Sequence, residues 1–115
     1  MLSDRAPIVE MREIVFPHHA NHYGTLFGGQ ALAWMDKAAF LVATELCDEV
    51  VVTARSEAVD FLTPVRVGDL VRLQARVVEQ GRRSLRVAVD LFVRGQELPA
   101  TRGVFVMVRM GQPVA

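Results

Sequence analysis

Apolar residues recur along this chain with two different periods. From Gln30 to about Cys47 the spacing is three or four: Leu32, Met35, Ala39, Val42 and Leu46 fall on one face, and Trp34, Ala38 and Leu41 add a second flank. That spacing predicts a long helix. A helix apolar over so much of its circumference is one that other elements enclose. Ala31, Ala33, Ala38, Ala39 and Ala43 are small, so a sheet or a second helix can come close. Beyond the helix the period falls to two. Val71, Leu73, Ala75 and Val77 alternate with Arg72, Gln74 and Arg76, predicting a strand over Leu70–Val78. Leu85, Val87, Val89, Leu91 and Val93 do the same over Ser84–Val93. Val50–Phe61 is rich in β-branched residues and Ala100–Met110 reads as a last strand. An earlier strand of mixed pattern, Ile8–Phe16, is closed by Pro17, and His18–Phe27 is a loop.

Punctuation agrees with this division. Gly28-Gly29 precedes the helix, Thr63-Pro64 and Val67-Gly68-Asp69 separate two strands, and Glu79–Arg83 and Arg94-Gly95-Gln96 turn the chain. Met1–Pro7 reads as a loose lead-in. The order is strand, helix, then four strands joined by short connections that make neighbours antiparallel. An antiparallel sheet and one long helix define an α+β domain in which the sheet curls round the helix. With 115 residues, the chain is read as a single domain, residues 1–115. One side of a short sheet cannot cover so apolar a helix. A homodimer is therefore expected, with edge strands pairing or sheets packing face to face.

Composition narrows the function classes. Hydrophobic residues make up 51% and charged residues 23%, the balance of a chain that buries a core. Lys+Arg and Asp+Glu are equal at 13 each, so no basic field exists to attract nucleic acid. Cys47 is the only cysteine, which excludes an internal disulfide and any cysteine-based zinc site and suits a reducing compartment. Asp36, Lys37 and Glu45 interrupt the one candidate membrane span, and the N-terminus lacks a secretory apolar run. A cytoplasmic protein without membrane partners is the expectation.

Candidate chemistry gathers between Asn21 and Asp36. A helix beginning at Gly28-Gly29 presents unpaired backbone N–H groups at its positive end, and glycine lets a substrate approach them. A carbonyl oxygen resting there would be polarised. The same pair can equally serve only as a tight turn into the helix. Asp36 is a lone carboxylate among apolar neighbours, and such a group has a partner or a task. It suits a nucleophile or general base; the competing reading is a narrow solvent-facing stripe with Lys37, in which Asp36 makes a cap or salt bridge. Asp36 lies seven residues past Gly29, about 10 Å along a helix rising ~1.5 Å per residue. One carbonyl cannot touch both on the same helix. Two antiparallel helices in a dimer would bring them together in two equivalent sites shared between subunits.

The run Asn21-His-Tyr-Gly-Thr-Leu-Phe-Gly-Gly29, followed by Met35-Asp36-Lys-Ala-Ala39, resembles the hotdog-fold acyl-CoA thioesterases of the cytosolic acyl-CoA hydrolase type. Val52-Thr53, Asp60-Phe61-Leu-Thr-Pro64-Val-Arg-Val-Gly-Asp69 and Gly81-Arg-Arg-Ser84 extend the match in the family's order, over roughly Glu13–Met110. The resemblance implies a helix wrapped by a sheet, dimers that often assemble further into trimers of dimers, and hydrolysis of acyl-CoA to a free acid and CoA with no metal or redox cofactor. By match, Asp36 falls on the catalytic carboxylate, and Asn21 on the polar residue that works with it from the other subunit. Gly28 and Gly29 fall on the helix start that receives the thioester carbonyl. Gly81, Arg82, Arg83 and Ser84 fall on the short loop that contacts the CoA moiety. Arg82 and Arg83 also suit phosphate by their charge and forked donors, or are simply a solvated hairpin tip.

Two rivals stand beside hydrolysis. A hydratase or dehydratase acting on acyl thioesters would use a histidine near the helix start, where His18, His19 and His22 lie; a non-catalytic acyl-CoA binding or regulatory module would need no Asp36 chemistry. Those histidines have neither helical spacing nor a companion ligand motif, so no metal site is expected. Cys47 reads as a packed helix-end residue, and Trp34 and Phe40 as core or interface.

Overall fold

In the computed structural model, which describes residues 6–113, one helix lies across a five-stranded antiparallel sheet. The strands are β1 (Ile8–Ile14), β2 (Glu49–Phe61), β3 (Leu70–Gln80), β4 (Ser84–Val93) and β5 (Thr101–Pro113), and the helix α1 spans Gly28–Leu46. The expected α+β architecture is the observed one. Most of the expected lead-in, residues 1–5, lies outside the described residues.

The period-two segments fold as read. Val71, Leu73, Ala75 and Val77 of β3 are buried, as are Leu85, Val87, Val89, Leu91 and Val93 of β4. They pack under Ala31, Trp34, Met35, Ala38, Ala39, Val42 and Ala43 of α1, with Phe105 and Met107 of β5 completing the core. Small residues on the packed helix face let α1 sit close to the strands. Its other face carries Gly29, Ala33, Lys37 and Phe40, which the chain's own sheet leaves exposed. The sheet thus encloses only one side of the helix.

Strand boundaries move where pairing partners decide them. β1 stops at Ile14, two residues before the expected Phe16. Val15 leaves the ladder to exchange backbone bonds with the turn after β2: its N–H reaches Asp69 O at 3.0 Å, and its carbonyl accepts from Gly68 at 2.8 Å. A 3-10 turn, Pro17–His19, follows. The helix starts two residues before Gln30, so the glycine pair forms its first turn and does not merely precede it. β5 continues to Pro113, beyond the expected Met110.

The strand order β1-β3-β4-β5-β2 is not the chain order. β2 pairs with β5, and β1 with β3, so β2 and β3 are not neighbours although they follow one another. Both β1 and β2 are edges. β2 is long and irregular, with register shifts at Glu49/Val51, Thr53/Arg55 and Glu57/Asp60. Ala58, in the last of these, has φ 45°, a left-handed conformation that disfavours any Cβ. Across from it, Gly103 leaves room for Val59: a Cβ there would lie 2.8 Å from Val59 Cγ2.

Candidate active site

The helix start is open to a ligand. Phe27 caps α1 with no side-chain bond. Its N–H bonds His19 O at 3.0 Å, and the first intrahelical bond runs from Ala31 N to Phe27 O at 3.0 Å. Among the described residues, the N–H groups of Gly28, Gly29 and Gln30 have no acceptor. Gly29 has open space where a side chain would stand, whereas a Cβ on Gly28 would meet the Phe61 ring at 3.3 Å. A cavity of about 190 Å³ opens beside this end, lined by Thr25, Leu26, Ala31, Phe61 and the Thr63–Val65 segment, with Thr101 below.

Asn21 is folded onto the same end. Its Oδ1 accepts from Tyr23 N at 3.0 Å, Thr25 N at 3.1 Å and Thr25 Oγ1 at 3.1 Å. These three donors fix the orientation of the amide, because only the oxygen can accept. The NH₂ of Asn21 remains as donor, held in a loop that Ala20–Leu26 and Thr25–Arg66 bridges tie down.

Asp36 stands elsewhere, half-buried in mid-helix. Thr53 Oγ1 donates to its Oδ1 at 2.6 Å, so the carboxylate has a partner. Lys37 is exposed. Thr53 arises in an edge strand of β-branched residues, where β2 runs back along the helix, and it is exposed, opposite Met107. Its sequence signal was a hydroxyl among the valines Val50, Val51 and Val52; nothing local in the sequence says which carboxylate it meets.

The sheet register separates the two halves. Thr53, Met107 and Leu85 share a rung, as do Phe61, Thr101 and Leu91 at the other end. Asp36 belongs to the first rung through Thr53, and Gly28 to the second through Phe61. One chain therefore brings Asn21 to Gly28 and Gly29 but leaves Asp36 apart from them. The hairpin Gly81–Ser84 stands at the Asp36 end, since Ser84 pairs with Val108 next to Met107. Gly81 N–H bonds Ser84 O at 2.8 Å to close the turn, and Arg82 and Arg83 are exposed.

The three histidines and the cysteine make local contacts in this chain. His19 Nδ1 accepts from Phe16 N at 3.0 Å, and its ring meets Trp34 edge-on at 4.9 Å. The His18 ring lies tilted beside it at 4.0 Å, and His22 lies tilted against Tyr23 at 4.0 Å. Among the described residues no three His, Cys, Asp or Glu converge as metal ligands would. Cys47 is half-buried at the helix end, its thiol donating to Ala43 O at 3.4 Å. Another cavity, of about 750 Å³, is on the outer face of the sheet, lined among others by Phe16, Leu70, Arg72, Phe92 and Arg94. It lies away from both halves of the site.

A lone helix wrapped by a five-stranded antiparallel sheet defines a hotdog domain. A family model described as the thioesterase superfamily matches residues 23–100, and this chain belongs to that family. The acyl-CoA thioester hydrolase YciA of Escherichia coli is 34% identical over 115 residues, covering 91% of this chain and 87% of the relative. The acyl-CoA hydrolase of Staphylococcus aureus, solved with butyryl coenzyme A, coenzyme A and coenzyme A disulfide, superposes with TM-score 0.85 at 31% identity, over 92% of this chain and 66% of that one. Variants of the staphylococcal protein with alanine for one aspartate, one threonine or one asparagine superpose with TM-score 0.86 at 29% identity, over 93% of this chain and 68–70% of theirs. The hexameric thioesterase y2039 of Yersinia pestis superposes with TM-score 0.84 at 31% identity, over 99% of this chain and 98% of that one.

Proposed function

We propose that this chain hydrolyses acyl-CoA thioesters to a free carboxylic acid and CoA, in homodimers that pack further as trimers of dimers. The observation that carries the reading is the division of the site: a glycine helix start with free N–H groups beside Asn21, and an oriented carboxylate at the other end of the same domain. The similarity to acyl-CoA hydrolases supports the substrate class, and the hexameric Yersinia relative supports the assembly. The aspartate, threonine and asparagine replaced in the staphylococcal variants are spaced along that chain as Asp36, Thr53 and Asn21 are here.

The thioester oxygen rests on the N–H groups of Gly28 and Gly29, and the Asn21 NH₂ donates to that oxygen or to the attacking water. These donors stabilise the charge that develops as the carbon becomes tetrahedral. Asp36 arrives from the partner subunit. Thr53 occupies Oδ1, leaving Oδ2 to attack the carbonyl carbon or to take a proton from water. In direct attack an acyl–aspartyl anhydride forms as the carbon–sulfur bond breaks, and water then hydrolyses it, regenerating Asp36 and supplying the proton that the CoA thiolate takes up; in the other route the water oxygen enters the acid and its proton passes through Asp36 to the leaving thiolate. Water is the only co-reactant in both, so no cofactor is required. The Gly81–Ser84 hairpin meets the phosphates of CoA through Arg82 and Arg83. A cytoplasmic site of action goes with that substrate.

The test is release of free thiol from a panel of acyl-CoA esters. The wild-type protein turns over at least one of them, and Asp36→Ala lowers kcat by at least ~10²-fold with unchanged circular dichroism. Near-wild-type turnover by that variant would remove Asp36 from the mechanism.

A further inference from the structure

The β3–β4 hairpin is held from outside by a single residue. Its one internal backbone bond is Gly81 N–H to Ser84 O, yet three consecutive carbonyls of the turn accept from Arg109 of β5. The Arg109 backbone N–H reaches Arg83 O at 2.7 Å. Its guanidinium Nη2 donates to Gly81 O at 3.1 Å and also to Arg82 O. The side chain is placed for this by register. Arg109 pairs with Val51 and follows Met107 by two residues, so it shares the inner face of β5 with Met107 and lies about 7 Å further along the strand.

The arrangement has a consequence for the turn's other side. In a planar trans peptide the carbonyl and the next N–H point in opposite directions. Directing the carbonyls of Gly81 and Arg82 toward the Arg109 guanidinium directs the N–H groups of Arg82 and Arg83 away from it, while Ser84 turns back across the hairpin to Gly81. Two successive N–H groups at the tip, flanked by two guanidinium side chains, suit an anion. Without the guanidinium, two adjacent arginines in a four-residue turn repel each other, and two backbone bonds, Gly81 N–H to Ser84 O and Arg109 N–H to Arg83 O, oppose their spreading.

We infer that Arg109 is a positioning residue: it shapes the Gly81–Ser84 hairpin into a phosphate-binding turn and so sets affinity for the nucleotide part of the thioester substrate. The inference rests on the reading that this hairpin meets the CoA phosphates. Lysine is a poorer replacement, because both carbonyls accept from Nη2 and a lysine ammonium ends about one bond short of that position.

Arg109→Met keeps the stem and removes the donors. Steady-state kinetics compare an acyl-CoA with the N-acetylcysteamine thioester of the same acid, which lacks the nucleotide. In Arg109→Met the ratio of KM for acyl-CoA to KM for the short thioester rises about tenfold, with a larger effect on KM than on kcat. Arg109→Lys recovers less than half of that change. An unchanged ratio, or equal losses on both thioesters, overturns the inference. The double variant Arg82→Ala/Arg83→Ala separates the two levels. If it raises the ratio and Arg109→Met does not, the clamp alone fails; if it leaves the ratio unmoved, the hairpin is not the phosphate contact and both readings fall.

Discussion

Thr53 and Asn21 do their work by giving away one hydrogen-bonding option each. Thr53 has a single hydroxyl proton, and it goes to Asp36 Oδ1 at 2.6 Å; Met107 sulfur, 3.5 Å away, fills the space behind it. The carboxylate is thereby held in one rotamer with its second oxygen unengaged. Asn21 spends its oxygen on the loop backbone and on Thr25, so its amide can only donate outward. A donor is what a carbonyl oxygen requires, and this amide cannot compete as a base. Replacing Thr53 by valine preserves volume and β-branching while deleting the proton. Thr53→Val is expected to lower kcat about tenfold or more through loss of this orientation, and Thr53→Ser to restore most of it. Steady-state turnover of the same acyl-CoA checks both. Equal activity in Thr53→Val would mean that the bond holds nothing the reaction uses.

Among the elements, the irregular edge strand β2 is the one whose shape the site depends on, because it carries Thr53 at one end and Phe61 at the other. Its bulge at Glu57/Asp60 bends Val59 over the gap left by Gly103. Val59 is β-branched and stiff, and its Cα would also lie 3.4 Å from a Cβ at position 103. Gly103→Ala is therefore expected to destabilise the fold by about 1–3 kcal/mol, the usual range for overpacking, measured as a lower midpoint in urea. Unaltered stability would show that β2 can shift freely. The regular elements were legible in the sequence, because burial on one face imposes a period that residues such as Val71–Val77 and Leu85–Val93 cannot hide. The bulges, the early end of β1 at Ile14 and the β2–β5 pairing were not. They are fixed by partners distant along the chain, such as Asp69 for Val15 and Gly103 for Val59. The candidate site divided in the same way. The glycine start and Asp36 stood out as local departures from an apolar helix, whereas Thr53 and Arg109 gain meaning only from what the fold sets against them.

For the whole molecule, the question is whether the two halves of the site meet across a two-fold axis. Within one chain, Asn21 and the helix start lie at the Phe61 rung and Asp36 at the Thr53 rung, and the exposed helix face of Gly29, Ala33 and Phe40 has no cover from its own sheet. Pairing two such faces with helices antiparallel sets Asp36 of one against Gly29 of the other, crossing at the small residue Ala33. A two-fold interface repeats the arrangement, so each dimer holds two sites. This geometry makes a genetic-style test possible with purified protein. Asp36→Ala lacks the acid but keeps a sound helix start; Asn21→Ala lacks the amide donor but keeps the acid. Each alone is expected to be nearly inactive. When the two are unfolded, mixed in equal amounts and refolded, half of the dimers are mixed, and each mixed dimer contains one site with both residues intact. Activity should return to about a quarter of the wild-type value, as random pairing about a two-fold axis requires. A site built within one protomer would give no recovery at any mixing ratio. The same mixture run without refolding reports how readily protomers exchange, because recovery then waits on dissociation of the assembly.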